Sequence, residues 1–379
     1  MRPHTQYLFK KENDGMKRII IAGGGTGGHF YPGFSLAKEL IKKGLQVVFA
    51  VKKEDISIPV LRENDIPFVE IDMIALPRSI NPFRHAVFFW KLAVSVLYSF
   101  RILRDFAPEA VLGTGSYVAF PLVLSARLKK IRTLIHESNS VLGLSNYLSG
   151  FFAHSVLTGL PLRNDPFPHK TRLTGTPLRE SFFSETSKEE AKKKLGLAPE
   201  TFTLLVFGGS QGSKNINETA YRLALDAVTR KEKIQLLHLT GRKNYEEIKG
   251  KYEAIEVDCK CVKVYDYYEN MNELYSAADL VISRSGSGTV NELITMKRPA
   301  ILVPLRTAAA DHQTLNAETL ARYACALILK DDENLYKNIK TTLEKLINPA
   351  NLAAMAKGYE RIDIPSGRQA AENIIKLLE

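Results

Sequence analysis

Short apolar runs alternate with helical periodicities along this chain. Arg18 to Ala22 is built on three consecutive isoleucines and reads as a buried strand. Beyond Pro32 and Gly33, Leu36, Ala37, Leu40 and Ile41 recur at helical spacing, followed by Lys42, Lys43 and Gly44. That is an amphipathic helix with cations in its last turn and a glycine stop. A second strand follows in "QVVFAVKKED", and further strand-like runs stand at Ala110–Leu112 and Thr133–Ile135. The second half repeats the scheme: an apolar run opens at Thr201, and others occupy Gln235–Leu239, Leu280–Ser283 and Ala300–Val303, with helical patterns between them. This alternation predicts an α/β protein with parallel sheets.

The junction between the first strand and the first helix, "GGGTGGHFYPG", packs five glycines into six residues. Glycine costs roughly 0.5–1 kcal/mol against alanine in regular structure, so this turn needs bare backbone for another purpose. Free N–H groups at a helix N-terminus form an anion site, and the cluster reads as a phosphate cradle. Gly23, Gly25 and Gly28 also satisfy G-x-G-x-x-G, the dinucleotide fingerprint. The acid that should follow about 20 residues on gives way to Lys52 and Lys53, which weighs against a nicotinamide dehydrogenase, although an NADP enzyme tolerates lysines there. "TFTLLVFGGSQGSKNIN", Thr201 to Asn217, is a second strand–glycine–helix unit, with Gly208, Gly209 and Gly212 in its turn. Two such units, one opening each half, predict tandem doubly wound domains. Thr174 to Glu200, polar and charged, is the best candidate for a linker.

A third glycine cluster lies in "LVISRSGSGTVNELI", Leu280 to Ile294. Two readings stand. Thr289 and Glu292 fit a T-x-x-E capping box that merely closes a helix start, or the Glu292 carboxylate holds a ribose diol. Shortly after, "ADHQTLNAETL" puts His312, Gln313 and Asn316 near another helix start, polar groups suited to a sugar's hydroxyls. In the first half, "GTGSYVAFP" (Gly113–Pro121) and "HESN" (His136–Asn139) each follow a strand. Both therefore belong at the carboxyl edge of one sheet, where open α/β sheets bind ligands.

At 379 residues, 45% hydrophobic and 25% charged, the chain has the size and composition of a soluble protein of two domains. Cys259, Cys261 and Cys325 form neither a disulfide framework nor a zinc spacing, and read as reduced thiols in the cytoplasm. The first 16 residues lack the apolar core of a signal peptide; they read as a disordered extension, unless translation begins at Met16. The net charge of +11 is uneven, with 20 Lys and Arg against 12 Asp and Glu up to residue 160. No acid occurs between Asp72 and Asp105, whereas Arg78, Arg84, Lys91, Arg101 and Arg104 do. The same stretch holds "AVFFWKLAVSVLYSF", Ala86 to Phe100, too short for a bilayer span of ~20 apolar residues. Arg84, Lys91, Ser95 and Ser99 form a narrow polar stripe on it. It reads either as a buried helix with that stripe in solvent or as a basic, apolar surface for anionic lipid. No aromatic–basic interleaving or known module supports nucleic acid as a partner.

Taken in order, "GGGTGGHFYPG", "GTGSYVAFP", "HESN", "GTPLRES", "FGGSQGSKNIN", "RSGSGTVNE" and "DHQTLNA" resemble the MurG family. These glycosyltransferases add N-acetylglucosamine to the undecaprenyl-diphosphate-linked muramyl-pentapeptide of peptidoglycan synthesis. The chain departs from the family where Gly115-Ser116-Tyr117 replaces two glycines before the tyrosine, and where Ser138 replaces a glutamine. The resemblance implies a GT-B fold, two Rossmann-like doubly wound parallel-sheet domains facing a cleft. The N-terminal domain, 17–175, would face acceptor and membrane; the C-terminal domain, 176–365, would bind the UDP-sugar; a helix at 366–379 would return to the first. Ser210 and Arg179 would then serve the diphosphate and nucleotide, backbone near Tyr268 the uracil, Ser287, Gly288, Thr289 and Glu292 the diphosphate and ribose, and Gln313 the sugar. Thr26, Gly27, Gly28 and Asn139 would reach the donor from the first domain.

The implied partners are UDP-N-acetylglucosamine, the lipid I acceptor, the cytoplasmic face of an anionic bacterial membrane on which the enzyme is peripheral, and cell-wall synthesis or division proteins. Transfer would invert the anomeric carbon, with the acceptor's C4 hydroxyl attacking in line. No cofactor or metal is expected, because GT-B enzymes usually stabilise the departing diphosphate with helix N-termini and side chains. His29, where the helix macrodipole disfavours a standing positive charge, is the candidate base. Its alternatives are to cap the turn or to orient substrate, and Glu137 is the second candidate base.

Overall fold

The computed structural model describes residues 17–77, 80–209, 211–230, 234–255, 261–308 and 311–378. The expected N-terminal extension, Arg78, Ser210 and Cys259 lie outside the described residues. The chain divides into two compact units: one runs up to Arg179 and takes in the chain from Arg368 onward, the other is Glu180–Gly367.

The first unit contains β1 (Arg18–Ala22), α1 (Gly27–Lys42), β2 (Gln46–Lys52), α2 (Ile58–Glu63), β3 (Phe68–Ile71), α3 (Pro82–Phe106), β4 (Ala110–Gly113), α4 (Ala119–Leu128), β5 (Arg132–Glu137), α5 (Leu144–Phe152), β6 (Ser155–Thr158) and β7 (Thr171–Leu173). The second contains α6 (Lys188–Lys194), β8 (Phe202–Phe207), α7 (Lys214–Arg230), β9 (Ile234–Leu239), α8 (Tyr245–Ala254), β10 (Val262–Tyr265), α9 (Met271–Ala277), β11 (Leu280–Ser283), α10 (Ser287–Met296), β12 (Ala300–Leu302), α11 (His312–Ala321), β13 (Ala326–Ile328), α12 (Leu335–Leu346) and α13 (Pro349–Gly358). The last helix, α14 (Gly367–Leu378), buries Ala371, Ile374, Ile375 and Leu378 in the core of the first unit, beside Ile19, Leu36 and Leu40.

The first sheet has the order β3-β2-β1-β4-β5-β6-β7 and the second β10-β9-β8-β11-β12-β13, and every pairing is parallel. In register, Ile20 lies between Val48 and Val111, and Leu205 between Leu237 and Val281. A parallel sheet covered on both faces needs strands that are apolar throughout. β1 meets that demand, with Ile19 and Ile21 in one core cluster and Ile20 and Ala22 in the other. Strand order reverses between β1 and β4 and between β8 and β11, so the loops after those four strands border each unit's ligand-binding crevice.

Three expectations change. First, the helix after the glycine cluster starts at Gly27, inside the cluster and ahead of Pro32, so His29 lies in its first turn.

Second, the linker read at Thr174–Glu200 is mostly folded structure of the second unit. Ser187 and Glu190 form a reciprocal capping box at the start of α6, and Ala191, Leu195 and Leu197 are buried. Lys192 is fully buried, yet its Nζ donates to the carbonyls of Pro199 and Thr201 at 2.8 and 2.7 Å. Burial, and next the Lys188 charge, lower the affinity of that amine for its proton.

Third, the polar stripe of α3 divides: Arg84 is exposed and Lys91 pairs with Asp72 at 2.6 Å, but its serines face inward. Ser95 and Ser99 are buried, with Ser95 Oγ donating to the Asp72 carbonyl and Ser99 Oγ to that of Ser95. Hydroxyls satisfied this way let a helix pack closely through small polar residues. Phe83, Phe89, Trp90 and Leu97 instead point outward at 73%, 60%, 72% and 70% exposure. The reading as a buried helix with a solvated stripe therefore fails. α3 has 25 residues and is apolar enough by length and composition to cross a bilayer; its inner face, with Ile102, Leu103 and Phe106, belongs to the core of the first unit.

Candidate functional site

In the first unit the carboxyl edge of the sheet gathers the loops after β1, β4 and β5. The glycine turn approaches β4 so closely that a Cβ on Gly23 would stand 2.3 Å from Thr114 Oγ1. That hydroxyl donates to the carbonyls of His29 at 2.7 Å and Ala22 at 3.3 Å, which fixes the helix start against the sheet. Gly24 and Gly25 adopt φ of 124° and 80°, the left-handed side that glycine alone visits cheaply.

The cradle is narrower than the run of glycines implies. Gly25 N–H is spent on Asp55 Oδ2 at 2.8 Å, and Asp55 Oδ1 accepts from Ser57 N and Oγ. Thr26 occupies the N-cap position of α1 with no side-chain cap, and its carbonyl accepts from His29 N and Phe30 N. Gly27 and Gly28 come first in the helix, so their N–H groups have no intrahelical acceptor. Both residues are exposed, so these amides are the part of the turn left to meet an anion, where the macrodipole favours negative charge.

The His29 ring turns its Nδ1–Cε1 edge toward Gly115, whose φ is 101°. A Cβ there would lie 2.7 Å from His29 Nδ1 and 3.2 Å from Asn146 Nδ2. Glu137 is fully buried at the end of β5. Its Oε1 accepts from Asn139 N at 3.1 Å and Asn139 Nδ2 at 2.8 Å, and its Oε2 from Gly143 N and Asn146 Nδ2, both at 2.9 Å. A carboxylate so engaged braces the "HESN" loop; as a proton acceptor it would first have to give up those donors. Asn139 is thus held by Glu137. His136 is buried, its Nε2 paired with the Gly175 carbonyl at 2.9 Å, and burial keeps the ring neutral. Arg179, expected on the second domain, is the last residue of this unit before the crossing, and its guanidinium lies 5.4 Å from the centre of the Tyr31 ring on α1.

In the second unit the corresponding edge carries an open helix start. α10 begins at Ser287 with Gly286 as N-cap and no side-chain cap. Thr289 is therefore the third helical residue and Glu292 lies in the helix interior, so the capping-box reading is overturned. Glu292 Oε2 instead accepts from the buried Tyr275 hydroxyl at 2.9 Å. The amides of Ser287, Gly288 and Thr289 precede the first intrahelical bond, from Val290 N to the Gly286 carbonyl. Gln313, the second residue of α11, anchors its Oε1 on Leu305 N at 2.9 Å, while its carbonyl accepts from Ser285 Oγ at 2.8 Å. Tyr268 donates to Glu273 Oε2 at 2.8 Å, and burial together with that bond pushes its phenol pKa well up.

Residues 19–158 match the N-terminal domain of glycosyltransferase family 28, and 203–375 match its C-terminal domain. A protein of Elusimicrobium minutum, named UDP-N-acetylglucosamine–N-acetylmuramyl-(pentapeptide) pyrophosphoryl-undecaprenol N-acetylglucosamine transferase, is 38% identical over 96% of this chain and 99% of its own. The protein of that name from Halothermothrix orenii is 34% identical over 95% and 98%. The chain belongs to the MurG family. The crystal structure of Acinetobacter baumannii MurG matches with a TM-score of 0.74 and 28% identity, covering 96% of this chain and 99% of that one. A calicheamicin glycosyltransferase (TM-score 0.68, 14% identity, 96% and 98% covered) shares the fold alone. Both units are Rossmann-like and the architecture is GT-B.

Within this member of the MurG family, sequence reasoning passes over three residues. Asp55 stands just beyond the two lysines that argued against a dinucleotide, and it serves the glycine turn directly. Asn146, inside α5, joins Glu137 to the His29 neighbourhood. Arg284, in "RSGSGTVNE", pairs with Asp331 at 2.6 Å and donates to Ser213 Oγ and to the Val303 carbonyl, tying the loops after β8, β11 and β12. Asp55 and Arg284 border glycine clusters, which is a usable signal; Asn146 carries none.

Proposed function

We infer that this chain is an inverting glycosyltransferase that moves N-acetylglucosamine from UDP-N-acetylglucosamine to the C4 hydroxyl of undecaprenyl-diphospho-muramyl-pentapeptide, yielding lipid II and UDP for peptidoglycan synthesis. The observation that carries this is near full-length identity of 38% to a curated transferase of that name. Fold alone would not carry it, since one fold hosts many activities.

The open start of α10 takes the donor diphosphate, Glu292 the ribose hydroxyls and Gln313 the sugar. Amides already aligned at a helix start stabilise the charge that grows on the departing UDP without reorganising. In the first unit, the Gly27 and Gly28 amides receive a diphosphate oxygen. His29 takes the proton of the attacking hydroxyl through Nε2, the nitrogen away from Gly115. Glu137 holds Asn139 and the loop around it, and Arg179 adds positive charge beside α1.

The enzyme rests on the cytoplasmic face of the membrane through α3. Its exposed Phe83, Phe89, Trp90 and Leu97 enter the interface, while Arg84, Arg101 and Arg104 meet anionic headgroups. The decisive experiment incubates the purified chain with labelled UDP-N-acetylglucosamine and a short-chain lipid I analogue in detergent. A labelled disaccharide-lipid is expected. Folded protein that binds UDP but makes no such product overturns the assignment.

A further inference from the structure

One ion pair joins four neighbouring strand ends of the second sheet, β8, β11, β12 and β13. Arg284, just past β11, is buried, and its Nη2 lies 2.6 Å from Oδ2 of Asp331, on the loop after β13. The same Nη2 donates to Ser213 Oγ at 2.8 Å, between the second glycine turn and α7. Nη1 donates to the Val303 carbonyl at 3.0 Å, just past β12. Asp331 accepts at its other oxygen from Asn215 Nδ2, in the first turn of α7, at 2.6 Å. Gln313 is seated by the same loops: Leu305 N–H, two residues beyond Val303, holds its Oε1, and Ser285 Oγ, next to Arg284, donates to its carbonyl. Burying two charges costs much of what their attraction returns, and a well-packed apolar pair often serves stability as well. Apolar side chains cannot fix the angle and spacing of several loops at once, which a rigid fork of donors does.

We propose that Asp331 is a positioning residue for the donor: it aims the Arg284 fork, which holds the glycine turn before α7 and the strand end that seats Gln313 at the spacing a nucleoside-diphosphate sugar needs. Both terminal nitrogens of Arg284 are committed to protein acceptors, so its contribution is to place the loops and not to touch the diphosphate. The turn has little slack with which to absorb a shift of Ser213. Gly209 and Gly212 already adopt φ of 82° and 72°, and a Cβ on Gly212 would stand 2.2 Å from the Thr240 carbonyl oxygen. A misplacement of about 1 Å in a positioned group costs on the order of 100-fold in rate. The inference rests on the reading of this crevice as the donor site, and its test separates the two.

The test compares the wild type with Asp331→Asn, which keeps the shape and removes the charge. A second variant, Arg284→Met with Asp331→Leu, replaces the pair by apolar side chains. Each is assayed well below its melting transition, by calorimetric UDP binding and by initial rates against UDP-N-acetylglucosamine and a short-chain lipid I analogue. Both variants are expected to weaken UDP binding and to raise the donor KM by about fivefold or more, with the acceptor KM held within about twofold. A purely structural pair would lower the melting temperature and leave the donor KM of a folded variant alone. A smaller rise in folded Asp331→Asn, or an equal rise in the acceptor KM, therefore overturns the proposal. Full donor binding by a folded double variant overturns it as well; should that variant fail to fold, Asp331→Asn alone decides. Wild-type protein that binds no UDP defeats the donor-site reading and this inference together, whereas UDP binding that Asp331→Asn leaves unchanged defeats the inference alone.

Discussion

Replacing Glu292 with glutamine separates a ribose-binding carboxylate from one that only supports the fold. Tyr275 is fully buried and its hydroxyl reaches Glu292 Oε2 at 2.9 Å. Glutamine keeps the length and an oxygen for that phenol, but loses the charge and places an NH₂ where the other carboxylate oxygen stood. A carboxylate gripping the ribose diol would then lose a charge-assisted bond worth ~1.5–3 kcal/mol. At ~1.4 kcal/mol per decade this raises the donor KM roughly 10- to 150-fold. The melting temperature should hold within a few degrees, because the Tyr275 bond survives. Initial rates against UDP-N-acetylglucosamine at saturating acceptor, with calorimetric UDP binding and a melting curve, measure the three quantities. Donor KM and UDP affinity within twofold of wild type would falsify the ribose role. A matching fall in melting temperature would then make Glu292 a purely structural partner of Tyr275.

Other positions give sharp outcomes. A Cβ on Gly27 meets nothing nearer than the Tyr31 ring at 3.4 Å, so Gly27→Ala should fold normally yet lose at least 100-fold in kcat/KM if the amide there receives a diphosphate; near-normal transfer would remove it from the site. Trp90 is 72% exposed, and an aromatic burying ~150–250 Å² at ~25 cal/mol per Å² contributes a few kcal/mol to membrane contact. Trp90→Glu should therefore weaken sedimentation with anionic vesicles more than tenfold while transfer to a short-chain soluble acceptor persists. Unchanged sedimentation would refute α3 as the contact. His238 is buried with Nε2 on Asn217 Oδ1 and Nδ1 on the Tyr252 hydroxyl, and burial lowers its pKa to about 3. The unfolded chain takes up that proton near pH 6.5 and the folded one does not, so stability falls as pH drops from about 6.5 toward 3, by ~2 kcal/mol between pH 7 and pH 5. Urea denaturation at both pH values should show this share vanish in His238→Gln, and an equal pH dependence in that variant would refute the assignment.

Both Rossmann-like halves are legible in the sequence because a parallel strand buried on two faces has little freedom of composition. Arg18–Ala22 and Leu280–Ser283 could hardly be anything else. The glycine clusters are legible for a related reason: they mark where backbone must approach something closely, as Gly23 does Thr114. Which amides stay free cannot be read that way. Gly25 and Gly27 look equivalent in a string of glycines, and only the fold brings the Asp55 carboxylate onto the first and leaves the second open.

The misreadings share one cause, which is that composition reports how polar a residue is and not where its polar atom ends. The charges of Thr174–Glu200, Lys192 among them, make it look like a solvated linker, although the Lys192 amine is seated on two carbonyls. Ser95 and Ser99 make one side of α3 look wet, although their hydroxyls close on main-chain carbonyls and the dry residues face out. Asn146 is invisible for the same reason, a single asparagine in an apolar helix, until Glu137, the His136 carbonyl and Gly115 are seen around it. A side chain whose function is to satisfy other side chains has no spacing rule of its own. Its position is set by three strands and a helix that meet only on folding. Residues that brace others are therefore the part of the candidate site that structure must supply, while the glycine turns at the ends of strands, proposed to meet substrate, lie open in the sequence.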